Sequence, residues 1–241
     1  MEKVDGVTQK QPTFINIFNE PFARWKDGSG RDVVGWKDSI ANGVLGDDVL
    51  IETYVMFYKE AESQGLEVGK DVYFFFNEYG INTDNPKKDL ALRELRRARV
   101  EIAKRLGIEP DEVNLNLGLQ QRYDETNPYD MPNDQRGRVR PPTMNELEAT
   151  TREFLQIVNQ IIFTEVGDFP ATPEQRRLRF KTIVEVAKKL DGVIGVIFEA
   201  PLRFTDREPD ITYRVADLFQ PNYQKSVEYY WLVKDTLGVM Y

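Results

Sequence analysis

The sequence contains no histidine and no cysteine among its 241 residues. Without histidine, the chain has no imidazole that could act as a general base, complete a Ser-His-Asp triad or ligate a metal. Without cysteine, it has no disulfide and no thiolate that could attack a substrate or bind a metal. Any general acid or base must therefore be Asp, Glu, Lys or Tyr, which favours carboxylate chemistry. We expect neither a metal nor a cofactor.

Long apolar runs and an excess of positive charge are also missing. No apolar stretch approaches the ~20 residues that a membrane-spanning helix needs, and residues 1–11 lack the apolar segment of a secretory signal peptide. The net charge is -8, whereas a surface that binds nucleic acid needs clustered lysine and arginine. We therefore expect no membrane and no nucleic-acid partner. The apolar fraction of 41% can fill a sizeable core, and we treat residues 1–241 as a single domain.

Five short runs of apolar, β-branched and aromatic residues are typical of buried parallel strands. They are Phe14–Glu20, Val72–Asn77, Val113–Gln120, Ile161–Glu165 and Val193–Phe198. A helical spacing of apolar residues follows each run, over Asp47–Gln64, from Pro86, over Thr143–Asn159, from Thr172 and over Val227–Leu237. Such alternation predicts an α/β fold, in which helices cover a parallel sheet.

The connections between these elements help to choose between α/β architectures. Pro21–Gly46 is predicted to be a polar loop, with Trp36 in the core and Trp25 in the loop or a cleft. Gln121–Pro142 is rich in Asp, Asn, Pro and Arg, and a loop of this length is typically a functional lid or disordered. A doubly wound fold would place a glycine-rich turn after the first strand, and none follows Glu20. We predict a (β/α)8 barrel of the TIM type that is incomplete, with about five β/α units.

Two of the predicted strands end in a glutamate, Glu20 and Glu165. Barrel enzymes carry their reacting groups at the carboxyl ends of the strands. Two carboxyl groups that face each other across a cleft are the smallest set of catalytic groups that can hydrolyse a glycosidic bond. The alternative interpretation is that these strand-end glutamates only accept hydrogen bonds from nearby helix starts.

Six landmarks occur along the chain in a definite order. They are Asn19-Glu20; Trp36 with Leu45-Gly46, Tyr54 and Phe57; Phe76-Asn77-Glu78-Tyr79; Leu117-Gly118-Leu119-Gln120; Thr164-Glu165; and the tail with Thr205-Asp206 and Leu218-Phe219. In this order and at these spacings, they resemble the endo-1,4-β-xylanases of glycoside hydrolase family 10. The resemblance runs from about Phe14 to Tyr241.

The resemblance implies a retaining O-glycosyl hydrolase that cleaves β-1,4-linked polysaccharide, xylan first, by double displacement. Glu165 would be the nucleophile and Glu20 the general acid/base. The residues that would contact substrate are Asn19, Asn77, Tyr79, Gln120, Arg122 and Trp25. Members of the family are usually extracellular, whereas this sequence leaves the location open.

The same resemblance covers only strands four to eight of the family's barrel, so the N-terminal barrel units are missing. Arg122 stands where the family has histidine, and Gly167 stands where it has aspartate, with Asp168 one position late. These departures keep an alternative open, namely a degenerate module that binds carbohydrate or protein without catalysis. Because an incomplete parallel sheet has open edges, we also expect self-association or a partner chain that completes the barrel.

Overall fold

The computed structural model describes residues 3, 4, 7, 8, 12–27, 29, 31–37, 40–121, 142–166 and 173–198. Most of the predicted segment Gln121–Pro142 and the last predicted helix, Val227–Leu237, lie outside these ranges. Within them, none of the helices is both long and apolar enough to cross a membrane.

Five of the strands form one parallel sheet in the order β3, β6, β7, β8, β9. Their bounds are Thr13–Asn19 for β3, Val72–Glu78 for β6, Asn116–Gln120 for β7, Gln160–Val166 for β8 and Val193–Phe198 for β9. Two short antiparallel pairs lie outside this sheet: β1 (Lys3–Val4) with β2 (Val7–Thr8), and β4 (Phe22–Lys26) with β5 (Asp32–Trp36). The five parallel strands lie close to the predicted positions, which confirms the incomplete α/β barrel.

The helices occupy the connections between the parallel strands. They are α1 (Ile40–Leu45), α2 (Val49–Ser63), α3 (Pro86–Leu106), α4 (Met144–Leu155) and α5 (Pro173–Lys189), with a 3-10 turn over Gly46–Asp48. Helix α3 begins where Asn85 caps the backbone N–H groups of Lys87 and Lys88, and it ends at Gly107, whose φ is 72°. The capping box predicted at Thr143 and Glu146 is present at the start of α4.

One core lies between the sheet and the helices. The strands contribute Phe74, Phe76, Leu117, Leu119, Ile161 and Phe163, and the helices contribute Leu50, Tyr54, Leu95, Ile102, Phe154 and Phe180, all at most 2% exposed. Each fully buried side chain of this size contributes roughly 1.5–3 kcal/mol. The core therefore fixes the strand ends, from which the candidate site is built.

The prediction that Pro21–Gly46 is a polar loop was wrong, because the structure has a β-hairpin and a short helix there. In the hairpin, Phe22 pairs with Trp36 in register, and their rings lie 4.8 Å apart. Phe22 is fully buried, and Trp36 packs against the same core, as predicted for Trp36. The carboxylate of Asp27 accepts hydrogen bonds from the backbone N–H groups of Ser29 and Arg31. The polar, glycine-rich turn made the whole segment look like a loop, although the two strands beside the turn contribute apolar side chains to the core.

Candidate active site

Of the predicted site residues, Asn19, Asn77 and Gln120 lie at the carboxyl edge of the parallel sheet. The strand register aligns Asn19 with Asn77 and Asn77 with Gly118, and it aligns Gln120 with Thr164. Parallel strands end at the same side of a sheet, and this is the edge where barrel proteins carry their sites. The register thus brings residues from β3, β6, β7 and β8 to one edge.

The backbone is unusual at the two glutamates that the sequence singled out. Among the described residues, Glu20 and Glu165 are the only residues other than glycine with a positive φ, at 51° and 48°. A side chain in this region costs of order 1–3 kcal/mol, and such strain persists where the surroundings impose it, often at functional sites. The same left-handed geometry at the ends of two different strands indicates that the fold holds both side chains in a set direction.

Asn77 links the surroundings of the two glutamates. Its Nδ2 donates to Asn19 Oδ1 at 2.7 Å and to Glu165 Oε1 at 3.0 Å. Its Oδ1 accepts a hydrogen bond from Thr164 Oγ1 at 2.6 Å. Asn77 is only 5% exposed, so its amide holds Asn19 and Glu165 rather than presenting a free hydrogen-bonding group. The substrate contact that the sequence predicts for Asn77 stays a prediction.

Glu20 is held by groups from β6 and the hairpin. Its backbone N–H donates to Asn77 O at 2.8 Å. Its carboxylate lies 3.5 Å from Lys37 Nζ, in an ion pair whose side chains are 25% and 41% exposed. Lys37 follows β5 directly and is tied back by its backbone N–H, which donates to Pro21 O. Sequence reasoning missed Lys37, because only the hairpin brings it next to Glu20.

A buried ion pair lies beside this turn. Glu78 is fully buried, and its carboxylate accepts hydrogen bonds from the backbone N–H groups of Phe22 and Tyr79. Lys87 Nζ lies 2.9 Å from Glu78 Oε1, as an ion pair rather than a well-aligned hydrogen bond. Burial raises the pKa of Glu78, while Lys87 and the two N–H donors act in the opposite direction. Sequence reasoning did not find this pair, because a buried glutamate has the same local pattern as an exposed one.

The other predicted substrate contacts are Gln120, Tyr79, Trp25 and Arg122. Gln120 is fully buried, and neither end of its amide makes a hydrogen bond to another described residue. Tyr79 is half-buried, and Lys87 Nζ lies 3.4 Å from its ring centroid. Trp25 belongs to β4, and its side chain lies outside the described part of the structure, as does Arg122. Among the described residues, no cluster of three or more acidic, histidine or cysteine side chains is suited to a metal ion.

Solved structures that are similar to this chain are xylanases of glycoside hydrolase family 10. For xylanase 10B from Thermotoga maritima, the TM-score is 0.61 at 17% identity, over 94% of this chain and 60% of that one. For a glycosylated endo-β-1,4-xylanase from Gloeophyllum trabeum, it is 0.60 at 17% identity, over 91% and 59%. For a thermostable xylanase mutant from Cellvibrio japonicus, it is 0.59 at 11% identity, over 85% and 59%.

No protein-family model and no curated protein matches the chain. The structural likeness therefore defines the fold: an incomplete TIM-type barrel of the kind found in family 10 xylanases, as the sequence resemblance implies. This chain spans 59% to 60% of the length of these three xylanases. It spans 54% of a psychrophilic endo-β-1,4-xylanase of the same family. The sequence identities are 11% to 18%, so the similarity supports a glycoside-hydrolase-like fold and no more than the fold.

Proposed function

We propose that this chain is a retaining glycosidase of the endo-1,4-β-xylanase type, with Glu165 as nucleophile and Glu20 as general acid/base. The observation that carries the proposal is the left-handed backbone of both glutamates at the carboxyl ends of β3 and β8, two strands of the same sheet. The amide of Asn77 donates to Glu165 and to Asn19, the residue before Glu20. Retaining hydrolysis needs two carboxyl groups whose positions are fixed relative to one bound sugar. The xylanase-like fold supports a β-1,4-linked polysaccharide as substrate.

In this mechanism, the oxygen of Glu165 attacks the anomeric carbon while the bond to the leaving oxygen breaks. The Glu20 carboxyl gives its proton to that oxygen, and the product is a glycosyl ester on Glu165. Glu20, now a carboxylate, takes a proton from water as the water attacks the anomeric carbon and releases Glu165. Asn77 donates an N–H to one oxygen of Glu165, which helps to fix the orientation of the nucleophilic carboxylate.

The other predicted contacts take roles in sugar binding. Asn19 would hold the 2-hydroxyl of the sugar, an interaction that strengthens in the transition state. Tyr79, Gln120, Arg122 and Trp25 remain proposed substrate contacts, of which Trp25 offers an aromatic face for the C–H surface of a sugar. We also propose that residues 1–241 act as a single domain.

The test is to measure turnover of aryl β-xylobiosides and xylan by the wild type, Glu20→Gln and Glu165→Gln. Glu62→Gln serves as a control, since Glu62 is exposed on α2. We expect Glu165→Gln to abolish turnover. We expect Glu20→Gln to slow the cleavage of xylan about a thousandfold, within the usual contribution of general acid–base catalysis.

A 2-deoxy-2-fluoro xylobioside with an activated leaving group distinguishes catalysis from binding. Its covalent intermediate is hydrolysed slowly, so mass spectrometry should find the sugar attached to Glu165 in the wild type and no adduct in Glu165→Gln. A wild-type chain that binds xylo-oligosaccharides but forms no adduct and no product would contradict the proposal. It would identify the chain as a non-catalytic carbohydrate-binding module.

A further inference from the structure

The turn that carries Glu20 is held at both of its ends by consecutive residues of β6. Before the turn, the backbone N–H of Glu20 donates to Asn77 O at 2.8 Å. After the turn, the backbone N–H of Phe22 donates to Glu78 Oε2 at 2.9 Å. Pro21, between them, has no N–H to donate. The left-handed φ of Glu20 is therefore enclosed by two hydrogen bonds, and the second depends on a side chain.

The side chain that supplies the second bond is itself fixed on every side. The Glu78 carboxylate has no exposed surface and contacts Phe22 N, Tyr79 N and Lys87 Nζ. Lys87 stands in the first turn of α3, with a side chain that is 6% exposed, and its ammonium group also lies over the Tyr79 ring. Lys87 and the two N–H donors favour the charged form of this carboxylate against the burial that opposes it, and a charged carboxylate is a stronger acceptor than a neutral one.

Phe22 completes the arrangement on the core side. Its ring is fully buried and lies 4.8 Å from Trp36 and 5.4 Å from Phe76. The backbone between Glu20 and Phe22 is thus fixed by the core at one end and by Glu78 along its N–H edge. A shift of the Phe22 N–H would rotate the peptide groups that set the direction of the Glu20 side chain.

We propose that Glu78, charged and held by Lys87, is a positioning residue that aims the Glu20 carboxyl at the leaving oxygen. This role rests on the proposed function, in which Glu20 is the general acid/base. Glu78 and Lys87 do not touch the substrate, and they act through the Phe22 N–H. Their loss disturbs proton transfer rather than attack by Glu165, which Asn77 holds separately.

The main test variant is Glu78→Leu/Lys87→Met, which removes both charges together. Replacing a buried ion pair by apolar side chains of similar volume is often neutral for stability, so this chain should fold. A matched control is Lys88→Met/Glu153→Leu, which removes the neighbouring ion pair between α3 and α4. Lys88 has a side chain that is 7% exposed, and its pair lies away from the Glu20 turn. A second variant, Glu78→Gln/Lys87→Met, restores an uncharged acceptor for Phe22.

The readout is kcat/KM on aryl β-xylobiosides with good and with poor leaving groups, because only a poor leaving group needs the proton of Glu20. We expect Glu78→Leu/Lys87→Met to lose about tenfold to a hundredfold on the poor leaving group and less than about threefold on the good one. Glu78→Gln/Lys87→Met should recover part of this loss, and the control pair should show neither change. Equal losses on both substrates, or no loss, would overturn the proposal.

Hydrogen exchange gives a readout that does not depend on turnover. The amide of Phe22 should exchange faster in Glu78→Leu/Lys87→Met than in the wild type, and at an unchanged rate in Lys88→Met/Glu153→Leu. If the wild type shows no turnover, the proposed function is wrong, and the exchange rates alone decide whether Glu78 and Lys87 hold this turn. Unchanged exchange at Phe22 would overturn the positioning role in either case.

Discussion

At Gly118, in β7, the space that a side chain would need is taken by Asn77. A Cβ atom at this position would lie 2.4 Å from Asn77 Oδ1 and 3.0 Å from Asn77 Cγ. The first distance is too short for unbonded atoms and the second is a very tight contact, and Asn77 is held in place by Asn19, Thr164 and Glu165. The glycine is therefore required by the neighbouring side chain and not by a turn.

We predict that Gly118→Ala displaces Asn77 and weakens its hydrogen bonds to both sides of the site. Overpacking of this kind typically costs about 1–3 kcal/mol of unfolding free energy, measurable by urea denaturation. Turnover should fall further than stability accounts for, because Glu165 loses the hydrogen bond from Asn77.

The control for this prediction is Gly195→Ala in β9, where a Cβ atom would meet, among the described residues, Ile162 alone, at 3.9 Å. This is an ordinary contact distance, so the variant should keep both stability and turnover. A Gly118→Ala protein as stable and as active as the Gly195→Ala protein would contradict the arrangement of Asn77 described above.

Among the secondary-structure elements, α2 and α3 are joined by a cluster of charged side chains. Arg97 Nη1 lies 2.6 Å from Asp48 Oδ1, and Arg105 Nη2 lies 3.2 Å from Asp48 Oδ2. Arg105 also pairs with Glu52. The hydrogen bond from Arg97 is the main cause that lowers the pKa of Asp48 from its usual 3.8, and Arg105 adds to it. The carboxylate of Asp48 is thus stabilised in the folded chain in its charged form.

The prediction for this cluster concerns pH. The folded pKa of Asp48 is lower than the unfolded one, so its contribution to stability is present above about pH 4 and is lost as the pH falls through the folded pKa. Asp48→Asn should therefore be less stable than the wild type at pH 7, and the difference should disappear in acid. Urea denaturation of both proteins from pH 2 to pH 7 measures this difference in unfolding free energy.

Salt provides the control for this prediction. Because the Asp48 pairs are partly exposed, about 0.5 M NaCl should reduce the difference between wild type and Asp48→Asn at pH 7. A difference that stays constant from pH 2 to pH 7 would show that Asp48 acts through packing or capping and not through its charge.

At the scale of the whole molecule, the parallel sheet has two outer strands. In the described part of the chain, β3 pairs only with β6, and β9 pairs only with β8. Large apolar side chains are exposed on these strands: Phe14 at 49%, Ile194 at 41% and Ile197 at 54%. Open edges with apolar side chains favour pairing with another chain.

We predict that the protein associates with itself or with a chain that supplies further barrel units. Sedimentation velocity over a range of concentrations should detect a species larger than the 28.0 kDa monomer. Phe14→Lys should shift the protein towards the monomer, because a lysine on an outer strand opposes edge pairing.

Val100→Lys is the matched control, since Val100 is 53% exposed on α3 and away from both outer strands. It should leave the association unchanged. A protein that sediments as a monomer at every concentration, in the absence of any partner chain, would contradict self-association.

The sequence by itself determined the local structure of this protein. Periodic apolar runs predicted the five parallel strands and the helices that follow the first four of them, and the cap at Thr143 predicted the start of α4. These signals are local, because a strand or a helix is stabilised by residues that are near in the chain. For the same reason, the strand ends at Glu20 and Glu165 could be found, although their backbone geometry could not.

Only the tertiary structure decided which of these strand-end residues meet and how they are held. Asn77 reaches across 58 residues to Asn19 and across 88 residues to Glu165. The ion pair of Lys37 with Glu20 depends on a hairpin whose aromatic side chains join a distant core. The burial of Glu78 against Phe22 is likewise a property of the fold. Such contacts form only when the core brings separate elements together. Local sequence patterns therefore do not predict which distant side chains will be in contact.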